Sequence, residues 1–293
     1  MAVFVVGGTG FIEQSVIKAL MDKNLQVKVF VENKRGHDEI LSSIKSKIET
    51  VYGDIHDLKS LSKKIEGVDT IINLVGVMRE YPKRGITLEK VHSEVTKKLV
   101  ELSLELGIKR FIHVDSLGVP TSSTSNYLKM RYRLERYVIE SVEEWTIIRA
   151  STVIGKGSEL ANVIGNMIKL GVVLIAGDGN YKIRPLSVTT LSNFIAYAVV
   201  SKETIKKEYN LFGPKEYKYN EFIDIFADAI KKKNYVKIHI PVWLVKLWPK
   251  IFGGARIKEQ IDMLFSENTY GFDDLKGITI RNIPIEEEIK NLL

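Results

Sequence analysis

Cysteine is missing from all 293 residues of the chain, which excludes disulfide bonds and thiolate sites. Long apolar runs are missing too, since none approaches the ~18 residues of a membrane-spanning helix. We find no zinc-ligand spacing and no signature of a nucleic-acid-binding module, so we expect neither a metal site nor a nucleic-acid partner. The amino terminus enters a strand pattern without a basic segment or cleavage site. We therefore expect no signal peptide and a cytoplasmic location.

Acidic residues are the minority among the charged ones, with 36 Asp and Glu against 43 Lys and Arg. The resulting net charge of +7 is explained by a solvated, lysine-rich surface. The alternative is an acidic partner, such as membrane lipid, nucleic acid or an anionic substrate. With 45% hydrophobic residues, the chain can bury the core of one large domain, or of a large and a small one.

Short apolar runs alternate with helix-length segments through the first 150 residues. We predict strands at 3–6, 27–31, 48–52, 70–75, 111–114 and 145–149, and helices at 15–23, 58–65, 91–106 and 128–141. This alternation predicts an α/β fold with a doubly wound parallel sheet.

The pattern loosens into glycine-rich loops after Arg149. We therefore predict a nucleotide-binding domain at 1–150 and a smaller, mostly helical C-terminal lobe for substrate or partner at 151–293. Within that second range, roughly 181–200 is expected to return to the core of the first domain.

A glycine-rich turn follows the first strand, with Gly7, Gly8 and Gly10 ahead of a helical pattern. Gly7 allows a tight turn, and Gly10 lets a pyrophosphate approach the N–H groups at the helix N-terminus. Glu13 stands where a third glycine would complete the spacing. If its carboxylate points at the phosphates it weakens binding, and if it points outward it costs little. We expect binding to survive.

Ligands of such sheets bind beyond the carboxyl ends of the strands, which makes the end of the second strand informative. Glu32 lies there and can hold the adenosine ribose hydroxyls, which favours NAD. Lys34 and Arg35 follow it and leave NADP open, because cations favour a 2′-phosphate.

Tyr127 and Arg131 lie four residues apart in a predicted helix and therefore share a face. A cation lowers the pKa of a nearby tyrosine and suits it to act as general acid or base. Ser116, at the end of the fifth strand, supplies a third polar group. The plainer interpretation is an ordinary pair on a helix surface.

Several motifs follow one another in order along almost the whole chain. They are GGTGFI at 7–12, GD at 53–54, DTIINLVGV at 69–77, VHSEVTKKLVE at 91–101, IKRFIHVDSLGV at 108–119, YLKMRYRLERYV at 127–138, WTIIRASTVIG at 145–155, YNLFGP at 209–214, PVWLVKL at 241–247 and QIDMLF at 260–265. This ordered set resembles the extended and atypical branch of the short-chain dehydrogenase/reductase superfamily. Within it, the chain is similar to the 39 kDa NADH-binding accessory subunit of respiratory complex I.

The resemblance implies a Rossmann fold that binds NAD(H) or NADP(H). It also implies that Asp54 and Ile55 lie by the adenine, and that Val75 and Gly76 pass under the ribose and phosphates. The expected cofactor-binding residues are Gly7, Thr9, Gly10, Phe11, Ile12, Glu32, Asp54, Ile55, Val75, Gly76 and Tyr127.

Two hypotheses for function follow from the resemblance. In the first, the protein is an NAD(P)-dependent reductase acting on a small carbonyl substrate, or a nucleotide-sugar epimerase or dehydratase. Tyr127 would then be the acid/base, Arg131 the supporting cation and Ser116 the group that orients the substrate. In the second, the protein is a non-catalytic structural or sensor protein docked to a respiratory complex, peripheral to the membrane.

Three departures from the family pattern favour the second hypothesis. Glu13 replaces a glycine, Asp115 stands where a serine is usual, and Arg131 replaces the lysine of the Tyr-x-x-x-Lys pair. Arginine is permanently charged, planar and longer than lysine, so it seats less well against a nicotinamide ribose. The intact Tyr127 and Ser116 favour the first hypothesis.

The stretch Pro241–Phe252 carries two tryptophans, several aliphatic residues and two lysines. It has the composition of an interfacial helix on a membrane or partner surface. The plainer interpretation is a helix of the small lobe that roofs a substrate cleft.

Overall fold

A computed structural model describes residues 1–7, 10–31, 48–75, 90–117, 126–245 and 274–291, without the side chains of residues 90, 91 and 126–128. The chain forms two compact units. The first unit comprises Met1–Arg149 and Leu191–Tyr209, and the second unit comprises Ala150–Thr190 and Asn210–Leu293.

The strands of the described chain form one large sheet and three two-stranded ones. They are β1 (Ala2–Val6), β2 (Gln26–Val31), β3 (Glu49–Tyr52), β4 (Thr70–Asn73), β5 (Arg110–Ser116), β6 (Glu144–Ala150), β7 (Val153–Ile154), β8 (Val172–Ala176), β9 (Lys182–Ile183), β10 (Leu186–Ser187), β11 (Lys207–Leu211), β12 (Tyr217–Lys218) and β13 (Val236–Ile240).

The four helices predicted in the first 150 residues are present as the first four α-helices, with small shifts at their ends, and four further α-helices follow in the described part of the chain. They are α1 (Phe11–Asp22), α2 (Leu58–Lys64), α3 (Val95–Glu105), α4 (Asn126–Ser141), α5 (Glu159–Leu170), α6 (Val188–Val200), α7 (Tyr219–Ile230) and α8 (Ile285–Lys290). A π-helical turn, Lys90–Glu94, leads into α3. Helix α1 begins four residues before its predicted start at 15, because the chain turns helical directly after Gly10.

The large sheet has the strand order β11-β6-β5-β4-β1-β2-β3, and the pairs β3–β2, β2–β1, β1–β4 and β4–β5 are parallel. This confirms the predicted doubly wound Rossmann sheet. The order reverses between β1 and β4, where Val6 lies opposite Asn73. Ligands of such sheets bind in the crevice outside the strand ends at this switch point.

Burial explains the continuous apolar strands of the sequence. Strands β1 and β4 are buried along their whole length, because both faces of the sheet are covered. On one face, side chains of β1 and β4 such as Phe4 and Ile71 share a core with Leu61 of α2, Leu99 of α3 and Val138 of α4.

The second unit has a hydrophobic core of its own, built mainly from α5, β8, α7 and α8. Its short strands pair as β10–β7, β12–β9 and β13–β8. Among the helices of the described ranges, none combines the length and the apolar character needed to cross a membrane.

Candidate functional site

Gly7, directly after β1, lies against the backbone of Leu74 and Val75, directly after β4. Gly7 has φ +114, and a Cβ there would lie 2.9 Å from the carbonyl carbon of Leu74. The Leu74 N–H donates to the Val6 carbonyl at 2.9 Å, which holds the two chains side by side. Only glycine fits both the backbone angle and the space, so Gly7 has the conformation that the predicted tight turn requires.

The N-terminus of α1 holds the Glu13 carboxylate. Gly10 is the N-cap residue and has no side chain to offer, and Glu13 is the third helical residue. Its carboxylate accepts hydrogen bonds from the backbone N–H groups of Gly10 and of Glu13 itself. This is half of a capping box. The same N–H groups are the donors that a bound phosphate would use.

Glu13 therefore points toward the phosphate site rather than outward. The side chain is only 9% exposed, and burial raises its pKa to about 7 against the opposing effect of the two hydrogen bonds. Near neutral pH, the carboxyl group is about half ionised.

An anion fits this site, because a carboxylate already lies in it. A Cβ on Gly10 would collide with the Glu13 carboxylate. The absence of a side chain at Gly10 therefore leaves room for an anionic oxygen beside its backbone. A pyrophosphate can take that space only when the Glu13 side chain swings out. Gly7, Gly10 and the first turn of α1, including the half-buried Phe11 and Ile12, would then hold the dinucleotide.

A buried polar network supports the other wall of the crevice. The Val75 N–H donates to Oδ1 of Asn73 at 3.1 Å, which fixes the orientation of that amide. Its Nδ2 therefore donates to Oγ1 of Thr96 at 3.0 Å and to Nδ1 of His113 at 3.1 Å. Burial, with nearby cations, lowers the pKa of His113 to about 3, so the ring stays neutral and can accept.

This network was not among the features predicted from the sequence. The signal available was an asparagine inside the otherwise apolar run of β4, directly before the Val75-Gly76 segment. A buried amide is stable only when its hydrogen bonds are made, so such a residue indicates a structured support.

The predicted adenine residues lie at the same carboxyl edge of the sheet. Asp54 follows β3 and is exposed, and its carboxylate accepts from the His56 N–H at 2.8 Å. Ile55 is buried in the core below the sheet edge. The Gly53 N–H reaches the Val31 carbonyl at 3.4 Å, so the ends of β2 and β3 are adjacent.

Four predicted site residues fall partly or wholly outside the described residues. Thr9, Glu32 and Gly76 are not described, and Tyr127 is described only as part of the backbone of α4. Their roles remain predictions.

Buried Asp115 and Arg131 form a cluster with the partly buried Ser116 at the end of β5. The Arg131 guanidinium makes an ion pair with Asp115 and also donates to the Ser116 hydroxyl. The Ser116 N–H donates to Oδ1 of Asp115 at 2.8 Å. Two of the three departures from the family pattern therefore face each other. Asp115 is one of the predicted departures from the family pattern but was not among the predicted site residues.

The charge of Arg131 is buried and compensated. Its side chain is 5% exposed, and burial lowers its pKa to about 10, so it remains a cation at neutral pH. Behind it, Glu135 holds Arg149 through two oxygens, at 3.0 Å and 2.7 Å, and Arg149 also reaches Glu208 at 2.5 Å. An arginine that is paired with a carboxylate lowers the pKa of a neighbouring tyrosine much less than an unpaired cation does.

A parallel doubly wound sheet, with a glycine turn and a helix N-terminus at its switch point, defines a dinucleotide-binding Rossmann protein. The sequence pattern of the NAD(P)H-binding family matches residues 7–166, more than half of the chain, and the chain belongs to this family. Its N-terminal part is thus an NAD(P)H-binding domain.

Sequence relatives confirm the resemblance to the complex I subunit. The Arabidopsis thaliana protein named NADH dehydrogenase (ubiquinone) 1 alpha subcomplex subunit 9, mitochondrial, is 27% identical over 96% of this chain and 76% of its own length.

Solved structures of low identity share the fold. Thermotoga maritima UDP-glucose 4-epimerase, solved with UDP-glucose, superposes with a TM-score of 0.75 over 99% of this chain and 96% of its own, at 16% identity. Citrobacter triphenylmethane reductase, solved with NADP(H), has a TM-score of 0.76 over 99% of this chain and 100% of its own, at 18% identity.

Proposed function

We propose that this protein holds an NAD(P)(H) molecule without turning it over, as a structural or sensor component attached to a membrane respiratory assembly. The observation that carries the proposal is the buried contact of Arg131 with Asp115 and Ser116. In a working site of this superfamily, the cation at position 131 would serve the nicotinamide ribose and the tyrosine. Here the Arg131 guanidinium forms an ion pair with the Asp115 carboxylate instead.

The attachment to a respiratory assembly rests on the relatives. Proteins named as complex I subunits align with nearly the whole chain, including 96% of it for the Arabidopsis protein.

A second candidate is an NAD(P)-dependent reductase with weakened activity. It is favoured by the hydrogen bond between Arg131 and Ser116, since the three catalytic positions of the superfamily lie on adjacent elements, with Tyr127 one helical turn before Arg131. The epimerase alternative has only the shared fold in its favour.

Turnover assays on matched variants distinguish the candidates. The unmodified protein should bind NADH yet oxidise NAD(P)H at background rate with quinones, aldehydes and nucleotide-sugar ketones. Arg131→Lys should raise any residual activity, and Asp115→Ser with Arg131→Lys should raise it further, by at least about tenfold, because misplacement of a catalytic group by ~1 Å costs ~10²-fold. Tyr127→Phe should abolish the gain and leave binding nearly unchanged.

The matched control is Arg136→Lys in the same helix, where the arginine is exposed and paired with Glu140 at 3.1 Å. It should change neither activity nor binding. Robust turnover by the unmodified protein that drops in Arg131→Lys would contradict the proposal and establish the reductase.

A further inference from the structure

Exposed apolar side chains concentrate in one part of the second unit. In the described part of the chain, eleven large hydrophobic side chains are exposed, and seven of them come from the segments around β8 and β13. These seven are Leu170, Val172, Leu174, Val236, Ile238, Trp243 and Leu244.

The two strands present a regular apolar surface. They pair in parallel, with Val172 opposite Val236 and Leu174 opposite Ile238. The alternate residues of β8 are fully buried in the core of the second unit, so these four side chains share the opposite side of the sheet. Their exposed fractions run from 41% to 61%. We name Val172, Leu174, Val236 and Ile238 the outer aliphatic face.

Lysines flank one end of this face. Because the strands are parallel, both begin at the same end, where the Val236 N–H donates to the Gly171 carbonyl at 2.9 Å. Helix α5 ends there with Lys169 and Leu170, and the run Lys231–Lys233 precedes β13. At the other end, β13 runs into a helical turn at 242–245 that carries Trp243, which is 63% exposed.

Lysine is the commonest charged residue around the face. Residues 160–177 and 229–245, which form the face and its two ends, contain five lysines and no Asp, Glu or Arg, and Asp178 and Asp228 directly adjoin these ranges. Lys237 turns to the inner side, where it pairs with Asp224 of α7 at 2.6 Å. The other four lysines lie at the end of the face where the strands begin.

This combination favours lipid over protein as the partner. Protein–protein interfaces are depleted in lysine and enriched in arginine. A shallow aliphatic surface with a tryptophan and lysines is instead typical of contact with an anionic bilayer, whose headgroups attract the cations.

We propose that the outer aliphatic face, with Trp243 and the lysines at its edge, docks this protein on the surface of an anionic lipid bilayer. The aliphatic side chains enter to the depth of the headgroups, and the lysines contact lipid phosphates. The inference rests on the proposed function only for its expectation of a nearby membrane, since the dinucleotide site contributes nothing to it.

Vesicle binding of the full-length protein tests the proposal. The protein should sediment with vesicles of phosphatidylglycerol and phosphatidylcholine, bind poorly to phosphatidylcholine alone, and be released by salt. Leu174→Glu with Ile238→Glu should abolish sedimentation. Lys231→Gln with Lys232→Gln and Lys233→Gln should weaken it by at least about tenfold, since each lysine near an anionic surface contributes about fivefold.

Tryptophan emission gives a second measurement. It should shift to shorter wavelength on addition of anionic vesicles, and Trp243→Phe should remove most of the shift. Two control variants alter exposed residues of the first unit: Leu104→Glu, and the triple change of Lys18, Lys59 and Lys63 to Gln. Both should bind vesicles as the unmodified protein does.

Three results would overturn the proposal: no binding to anionic vesicles, binding that survives the double glutamate variant, or self-association through this face without vesicle binding. NADH titrations of the same variants keep the conclusions separate. Loss of vesicle binding with intact NADH binding concerns this face, whereas turnover by the unmodified protein contradicts only the proposed function.

Discussion

Glu13 is the residue on which nucleotide affinity depends most directly. Its carboxylate accepts from the N–H groups of Gly10 and Glu13 at the start of α1, where a pyrophosphate would bind. An ionised Glu13 must give up these hydrogen bonds before a phosphate can replace them, and it also repels the phosphate. A protonated Glu13 is uncharged and does not repel the phosphate. The chain thus carries an internal competitor whose strength depends on pH.

We expect Glu13→Gly to bind NADH more tightly than the unmodified protein at neutral pH. In the unmodified protein, affinity should fall as pH rises through the Glu13 pKa of about 7, by up to about tenfold between about pH 6 and about pH 8. Glu13→Gln, which keeps the size of the side chain without the charge, should lose this pH dependence. Calorimetric titration at low salt measures all three proteins, and equal or weaker affinity in Glu13→Gly would mean that the carboxylate leaves the site without cost.

The same carboxyl group makes stability depend on pH. The pKa of Glu13 is raised from 4.5 to about 7 in the folded protein. The carboxyl group therefore contributes about 3 kcal/mol to the free energy of unfolding below about pH 4.5, and this contribution is lost as pH rises through about 7. His113 acts in the opposite direction, because its pKa is lowered and stability falls as pH drops below about 6.5.

The stability difference between Glu13→Gln and the unmodified protein isolates the Glu13 contribution. Denaturant unfolding without nucleotide should show the variant gaining relative stability between about pH 5 and about pH 8. A difference independent of pH would place the Glu13 pKa near its ordinary value.

Nucleotide choice is expected to depend on Glu32, which lies outside the described residues. A carboxylate at that position repels a 2′-phosphate and accepts from ribose hydroxyls, so NADH should be preferred to NADPH. Lys34 and Arg35 reduce the preference. Competitive titration of the two nucleotides measures it, with Glu32→Gln as the comparison in which NADPH should gain. A clear NADPH preference in the unmodified protein would show that the two cations dominate.

At the scale of elements, much of the first unit could be predicted from the sequence. Strands β1 and β4 are apolar runs buried along their whole length, and the alternation of the six predicted strands with helices indicates parallel pairing. The start of α1 was predicted four residues late, because the N-terminal signal comes from Gly10 and the back-reaching Glu13 rather than from apolar periodicity. The ion pair of Arg131 with Asp115 depends on where β5 and α4 lie in space, which spacing along the chain does not give.

The turn between β1 and α1 tolerates no side chain at Gly7. We expect Gly7→Ala to lower the free energy of unfolding by at least ~2 kcal/mol and to abolish NADH binding, because φ +114 is strained for alanine and its Cβ would meet Leu74. Gly67→Ala is the matched control. Its φ is +77, but an added Cβ there has no atom within 4 Å, so it should cost ~1 kcal/mol and leave binding intact. Denaturant unfolding and NADH titration test both, and a well-folded Gly7→Ala protein that binds NADH would show that the turn can rearrange.

At the scale of the whole molecule, the first unit is not continuous in sequence. It includes Leu191–Tyr209 as well as Met1–Arg149. The segment expected from the sequence to return to this unit was roughly 181–200, which overlaps the observed one over residues 191–200. The buried guanidinium of Arg110 in β5 donates to the Ala198 carbonyl at 2.7 Å and to Oγ1 of Thr204 at 2.8 Å. The Lys206 N–H reaches the Trp145 carbonyl at 2.7 Å. A distant segment thus supplies hydrogen-bond acceptors and covering apolar surface to the nucleotide-binding sheet.

A fragment of residues 1–150 should therefore fail to fold cooperatively or to bind NADH. Without residues 191–209, Arg110 loses two acceptors, the apolar residues that Phe194 and Ile195 help to bury are exposed, and β6 becomes an open edge strand prone to aggregation. A second fragment, in which a Gly/Ser linker joins residue 150 to residues 188–211, restores these partners and should regain a cooperative transition and NADH affinity. Circular dichroism melts and NADH titration compare both fragments with the full chain. If residues 1–150 alone bound NADH with the affinity of the full chain, the returning segment would be dispensable, and the nucleotide site would depend only on the continuous part of the sheet.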